Sequence, residues 1–525
     1  MQTKVFLVLV ILVSCTSADR DNQQPHTQAR QLAGNWPYAV TYEIFVQSFF
    51  DTDADGIGDI NGVTEKLGYL KELGVEALWL MPISPSPSYH KYDVTDYKGI
   101  HPDYGTEQDF KRLVEEAHNR NIKIVIDLII NHTASDHPWF QEAINNPESK
   151  YRDYYVWANR DSIEQSVIKE ELQEDSDNTA RWHTVEGADE LYYGYFWSGM
   201  PDLNYDNILV QQEIFEIGRF WLQEMDVDGF RLDAAKHIFT DDRATDNHQW
   251  WVKFRNEMRK AKPDVFLLGE VWSEAEEVAP YLEGLPALFN FDIGKAITTA
   301  VLEEKTGDLL QRHKEIQEYY ASINPDYIDA IFITNHDQNR IGSELNGDLN
   351  KARMAASLLF TLPGSPIIYY GEELGMLGKK PDEHIREPFN WVFDGTGTGE
   401  THWISPQYTT DATVAPLSKQ LQDSLSVYHH YRALMALRNN QAALTYGRME
   451  FMDQNTPPSV CSFLRIYEQD SLWILHNLSK SEQVIGLAEA FTKFKFPIFS
   501  NGNYTVDTLK MNIALQPYST LVLNN

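Results

Sequence analysis

Cysteine is nearly absent. Cys15 and Cys461 are the only two in 525 residues, which excludes a disulfide framework and a cysteine zinc cluster. Positive charge is also scarce: 44 Lys and Arg stand against 77 Asp and Glu, a formal net charge of −33. Such a surface repels nucleic acid, anionic membranes and polyanionic substrates, and is compatible with a neutral polymer. Its simplest role is solubility, and it also fits a saline habitat. Past the N-terminus no run is long and apolar enough for a bilayer span, and there is no internal repeat or low-complexity tract. What is present is an ordinary globular composition. With 42% hydrophobic and 23% charged residues, the chain has ample core for one large domain with additions, or for two to three domains.

Lys4 followed by the apolar run Val5 to Val13 reads as an export signal, too short for a mature membrane helix. Leu12-Val13-Ser14-Cys15 resembles the bacterial lipobox, whose cysteine is lipidated and becomes the first mature residue. Ordinary cleavage after Thr16-Ser17-Ala18 is the alternative. The expectation is a signal peptide over residues 1–18, a polar tether over 19–34, and a monomer held to a membrane only through its N-terminal lipid, otherwise secreted or periplasmic.

From Tyr38 onward short apolar runs alternate with amphipathic stretches, the pattern of βα units around a parallel sheet. Eight strands are predicted, at Tyr42–Gln47, Val75–Met81, Lys123–Ile129, Val227–Leu232, Val265–Gly269, Leu288–Phe291, Ala330–Thr334 and Pro366–Tyr370. Helices are predicted at Gln108–Arg120 and Gln211–Glu224. The fold class is α/β, a (β/α)8 TIM barrel over residues 35–440. Two parts break the alternation. An aromatic-rich stretch over 133–205 is too long for a connection and reads as an inserted subdomain after the third strand. Over 441–525 a C-terminal antiparallel β-domain, a β-sandwich, is expected.

Catalytic residues of such barrels lie at the C-terminal ends of strands. Here those ends carry Asp127 with Asn131-His132, Arg231 with Asp233 and Lys236-His237, Glu270 with Trp272, and His336-Asp337. One isolated Asp at a strand end is normally a helix N-cap, and a lone His is normally a satisfied core residue. Carboxylates at four strand ends, with Arg and His beside them, are not accounted for that way. Hydrolysing a glycoside with retention needs such a pair: a carboxylate nucleophile and a protonated carboxyl roughly 5–5.5 Å apart.

These motifs, with Met200-Pro-Asp-Leu-Asn204 and Tyr92-Asp93-Val-Thr-Asp-Tyr97, resemble glycoside hydrolase family 13, the α-amylase family, in order and spacing over nearly all of the mature chain. The resemblance implies Asp233 as nucleophile, Glu270 as general acid/base and Asp337 as the third carboxylate, which favours a distorted sugar. It implies Asp93, His132 and His336 as sugar-binding groups, Tyr92 as a stacking platform, and Lys236 and His237 on the leaving-group side. Arg231, two residues before Asp233 on the same strand, points to the same side and keeps that carboxylate ionised. Asp127 and Asp202 match the family too and are read as structural.

Asp51, Asp53, Asp55, the carbonyl of Ile57, and Asp59 space oxygen donors at alternate positions around a glycine turn, as a Ca²⁺ loop requires. The position-twelve glutamate of an EF-hand is missing, and an acidic turn without an ion is the alternative. The resemblance supports Ca²⁺ there. It also raises a second calcium, through Asn131 and the carbonyl of His237. Met200-Pro-Asp-Leu-Asn204 resembles a group of α-amylases intermediate with oligo-1,6-glucosidases and neopullulanases. With Ala234 after the nucleophile, Lys236-His237, and Arg386-Glu-Pro-Phe-Asn-Trp391 departing from the oligoglucosidase segment, the resemblance implies endo-hydrolysis of α-1,4 bonds in starch-like glucans and maltooligosaccharides. An α-glucosidase, a neopullulanase-like enzyme or a glucan-transferring relative is the alternative. A non-catalytic glucan-binding relative is set aside, because Asp233, Glu270 and Asp337 are all present.

Overall fold

Short runs of four to six mostly apolar residues, each followed by an amphipathic helix, can bury both faces only by closing on themselves. The computed structural model describes residues 35–166, 180–392, 399–451, 456–487, 493–494, 496–507 and 511–525. The export signal, lipobox and tether lie outside the described residues. Eight parallel strands close into a barrel: β1 (Thr41–Ile44), β2 (Ala77–Leu80), β3 (Lys123–Leu128), β4 (Gly229–Leu232), β5 (Phe266–Gly269), β6 (Ala287–Asn290), β7 (Ile328–Ile331) and β8 (Ser365–Tyr369). Closure comes from β1 pairing with both neighbours, Thr41 opposite Ala77 of β2 and Ile367 of β8. All eight predicted strands are observed, with bounds shifted by up to three residues. The predicted helices are observed at Glu107–His118 and Ile208–Gln223.

The barrel interior is packed, not hollow. Trp79, Val125, Leu268, Phe289, Ala330 and Ile367 form part of its own apolar cluster. At Gly229 an added Cβ would lie 2.2 Å from the Phe266 carbonyl, so only glycine lets β4 approach β5 so closely. Outer helices start on side-chain caps: Asp59 accepts from the Gly62 N–H, and Thr106 forms a reciprocal capping box with Asp109.

Between β3 and β4 the chain makes a three-stranded antiparallel sheet from Trp157–Asn159, Glu190–Tyr193 and Trp182–Thr184. It is tied down by Leu203 N–H on the Asn131 carbonyl, 2.9 Å. After the barrel, Arg448–Phe451, Val460–Tyr467, Asp470–Asn477, Thr520–Asn524 and Phe496–Ser500 form one sheet, and Gln483–Gly486, Asn512–Leu515 and Tyr504–Asp507 a second. Among the described residues no helix is long and apolar enough to cross a membrane.

Candidate active site

Alternation along β4 sends Arg231 and Asp233 to the same side. Arg231 is 0% exposed. Its Nη1 lies 2.8 Å from Asp127 Oδ1 and 2.8 Å from Asp233 Oδ1, and its Nη2 lies 2.5 Å from Glu270 Oε2. Three neighbouring strands thus deliver one carboxylate each to a single cation. Glu270 Oε2 also accepts from the amide N–H of Ala234 at 3.3 Å. The carboxyl at the end of β5 therefore overlies the residue that follows Asp233.

The segment after β7 supplies the remaining carboxylate. Asp337 Oδ2 lies 3.0 Å from His336 Nε2, and its Oδ1 lies 3.0 Å from Arg386 Nη2. Arg386 is also bound by Asp382 at 3.1 Å and donates Nε–H to the His336 carbonyl at 3.0 Å. The Tyr92 hydroxyl lies 2.5 Å from His336 Nε2, and the two rings stack at 5.6 Å and 12°.

These groups border a cavity of about 540 Å³ lined in part by Tyr92, His132, Asp233, Glu270, Lys236, His237, Trp272 and Asp337. The inserted subdomain adds Phe196 and Trp197, and the segment after β8 adds Lys380, Asp382 and Arg386. A second cavity, about 660 Å³, shares Trp272, Asp337 and Lys380 with the first, so the two adjoin on the side of β5 to β7. There Trp272 stacks on Phe291 at 4.6 Å and 15°. On the other side the His237 ring lies on Tyr195 at 3.7 Å, and Lys236 Nζ donates to the Trp272 carbonyl at 3.4 Å. Arg231, His336 and Asp93 sit behind this lining. Asp93 is buried and braced by the hydroxyls of Ser86, at 2.6 Å, and Ser88. His336 is fully buried with both ring nitrogens engaged. Asp202 accepts from the Tyr195 N–H at 3.1 Å, and burial pushes its carboxyl up to about 8 while Arg181 opposes the rise.

Burial raises the pKa of Glu270, with Asp233 and Asp337 adding to the rise and Arg231 opposing it, up to about 7. For Asp337 burial works the same way, but His336, Arg386 and Arg231 outweigh it and hold the carboxyl well below the usual carboxylate range. Burial disfavours charge on His336, yet Asp337 and Glu43 push it up to about 10. Near neutral pH the site therefore pairs a carboxyl able to give a proton with an ionised carboxylate. Environments that drive titratable groups apart in this way assign acid and base roles.

Sequence reasoning missed Glu43, which touches His336, and Lys380, Asp382 and Arg386 as lining groups. Glu43 had a signal: a charged residue inside the apolar run Tyr42-Glu43-Ile44-Phe45 must be paired if buried.

In the loop after β1, ligand atoms of Asp51, Asp53 and Asp59 lie within 4.8 Å of one another. Three carboxylates so close repel one another, and an all-oxygen donor set of this kind fits Ca²⁺. Two of them also shape the loop. Asp51 accepts N–H groups of Asp53, Ala54 and Gly56, and Asp59 those of Thr52 and Gly62. Asp55 is not drawn into the cluster; it is exposed and accepts from the Ile57 N–H at 2.7 Å.

An eight-stranded parallel barrel with a proton-holding carboxyl and a carboxylate on one arginine defines the class as glycoside hydrolase. The family described as "Alpha amylase, catalytic domain" matches residues 43–447, and the "Alpha-amylase SusG C-terminal domain" matches residues 460–522. The chain belongs to the α-amylase family. It is 41% identical to "Alpha-amylase 3" of Dictyoglomus thermophilum, over 92% of this chain and 93% of that one. It is 36% identical to a 4-alpha-glucanotransferase of Thermotoga maritima, over 85% and 97%. Its fold matches a crystal structure of an alpha-amylase from H. orenii with TM-score 0.85 and 42% identity, covering 93% and 99%.

Proposed function

We propose that the protein is an endo-acting, retaining hydrolase of α-1,4-glucosidic bonds in starch-like glucans. The observation that carries this is the Arg231 fork, which holds Asp233 and Glu270 side by side on its two terminal nitrogens, so that both carboxyls face one reacting sugar, as a retaining pair must. Glu270 gives its proton to the leaving oxygen while Asp233 attacks the anomeric carbon, forming a glycosyl ester and breaking the glycosidic bond. Glu270, now a carboxylate, takes a proton from water, which attacks the same carbon and frees Asp233. Two inversions give the α-anomer. Asp337, kept ionised, binds hydroxyls of the distorted sugar; Tyr92 and His132 border it, and Lys236 and His237 meet the leaving-group side.

The adjoining cavity beyond Trp272 favours internal cleavage, because it offers space for chain beyond the reacting sugar. The same adjoining cavity suits an acceptor sugar, so glucan transfer is the second reading. Digestion of end-labelled maltoheptaose, amylose and pullulan tests both. Internal cuts with α-products and no chain lengthening are expected. Products longer than the substrate would make the enzyme a transferase, and glucose released singly from chain ends would make it an exo-glucosidase.

The loop of Asp51, Asp53 and Asp59 is read as holding Ca²⁺, which would neutralise the three carboxylates and stiffen the connection from β1. Export with a lipid on Cys15 is the reading of the N-terminus. Native protein should partition into detergent and Cys15→Ser into water; a soluble native chain beginning at Asp19 would refute it.

A further inference from the structure

We propose that Glu43, on β1, is a positioning residue for the reaction: it holds the His336 ring as an imidazolium, so that both ring nitrogens donate and Asp337 is presented to the substrate as an oriented anion. Glu43 is the third residue of β1, opposite Trp79 of β2 and Tyr369 of β8, and is 0% exposed. Its Oε1 lies 2.5 Å from His336 Nδ1, while His336 Nε2 lies 3.0 Å from Asp337 Oδ2. One ring therefore bridges two carboxylates. A neutral imidazole has one N–H, and the Tyr92 hydroxyl beside Nε2 gives its own proton to Asp127 Oδ2 at 3.2 Å, so either the fully buried Glu43 or Asp337 at the cavity edge would face a nitrogen lone pair. A doubly protonated ring satisfies both. Glu43 Oε2 has no hydrogen-bond partner among the described residues, so its contact with His336 is the main one that offsets its burial, with the Arg231 charge adding to it.

The surroundings agree in sign. Around His336 the acidic groups are Glu43 from β1, Asp337, and, when ionised, Asp127 from β3 and Glu270 from β5, each pushed up to about 7. Glu372 after β8 faces Glu43, and burial raises Glu43's own carboxyl while His336 and Arg231 oppose that rise. The positive ones are Arg231 from β4 and Arg386 after β8, and Tyr92 and Tyr369 supply neutral hydroxyls. The Trp79 ring meets the imidazole edge at 5.6 Å and Tyr92 stacks on its face, which fixes its plane. Glu43 touches no cavity-lining carboxylate itself and acts through His336.

The test uses the full chain with ¹⁵N-labelled histidine, the His336 signals being those lost in His336→Gln. At pH 8 native His336 should carry protons on both nitrogens. Glu43→Gln keeps the size and an acceptor oxygen but removes the charge, so at pH 8 the ring should keep one proton. The kcat on maltooligosaccharide should fall about ten- to hundredfold, as expected when a charge-assisted bond is lost, with KM little changed. The deficit should shrink at pH 5, where the ring regains its proton; a general packing defect gives the same deficit at both. A singly protonated native ring at pH 8, a variant ring that keeps both protons, or a pH-independent deficit overturns the proposal. Should Glu43→Gln fail to fold, the native proton count alone decides.

Discussion

The two ends of the barrel bury cations in opposite ways. At the C-terminal end Arg231, Arg386 and His336 each face carboxylates, and these charges help set the ionisation of Asp127, Glu270, His336 and Asp337. At the N-terminal end, against the β-domain, Arg438 and Arg465 face backbone carbonyls. Arg438 Nη1 donates to Phe360 and Leu362 at 2.9 and 3.1 Å; Arg465 donates to Thr361, Leu444 and Gly447 at 2.6, 2.7 and 2.8 Å. With dipoles instead of charges as partners, burial dominates. It pushes Arg438 down to about 9 and Arg465 well below its ordinary value, and it keeps His430 and His476 neutral, at about 4 and 3. The carbonyls belong to the end of the helix Leu349–Thr361, the residue after it, and the helix Ala442–Tyr446 with its C-terminal Gly447, so the second arrangement ties segments together through dipoles. The first is a coupled set in which protons can be assigned.

The widest separation of the two ends comes from Asp233→Asn. Activity should fall by several orders of magnitude, because the nucleophile is gone. The melting temperature should hold or rise, since one of several crowded negative charges is removed. A stable variant with near-native kcat would falsify the nucleophile assignment. Glu270→Gln should be nearly as inactive on glucans yet recover glycosylation on a substrate with an activated leaving group, which needs little protonation. In the native enzyme the acid must hold its proton, so activity should be present below about pH 7 and fall as pH rises through it. An alkaline limb two units higher would show that Glu270 is not the titrating acid.

Arg465→Ala is the opposite break. It strands three buried carbonyls and opens a cavity, costing about 3 kcal/mol or more in urea unfolding, after allowance for relief of the buried charge. The folded fraction should keep its kcat within about twofold. A loss of kcat with unchanged stability would mean that the two ends are not independent.

The barrel was legible because strand burial on both faces leaves continuous apolar runs, and because helices between them repeat the 3.6 period. Boundaries slipped where a run continued past its last ladder bond: Tyr42–Gln47 was expected as strand, but only Thr41–Ile44 pairs and Val46–Ser48 turns into a short helix. Carboxylates at strand ends were legible because they sit next to the strand signal. What was not legible is depth. Asp93 and His336 read as sugar contacts, but the structure sets them behind the lining, which local sequence cannot distinguish from facing the cavity. Arg386 and Asp382 lie far along the chain from β7 and reach Asp337 only through the fold.

The smallest effect is expected at the loop after β1, where both strategies meet: carboxylates there accept backbone N–H groups and also crowd one another. Chelation should lower the melting temperature by a few degrees and added Ca²⁺ restore it, since a ligand at 100 times its Kd contributes about 2.7 kcal/mol. The choice of variant matters. Asp51 holds three N–H groups and Asp59 caps the helix Ile60–Leu73, so replacing either would destabilise the loop with or without an ion. Asp53 is exposed and accepts one weak bond, from the Asp55 N–H at 3.3 Å. Asp53→Ala should therefore melt with the chelated native protein and show a much weaker calcium response. Scanning calorimetry across a calcium series reads both. A full calcium response in Asp53→Ala would mean that the ion binds elsewhere, and that this loop is held by its own hydrogen bonds.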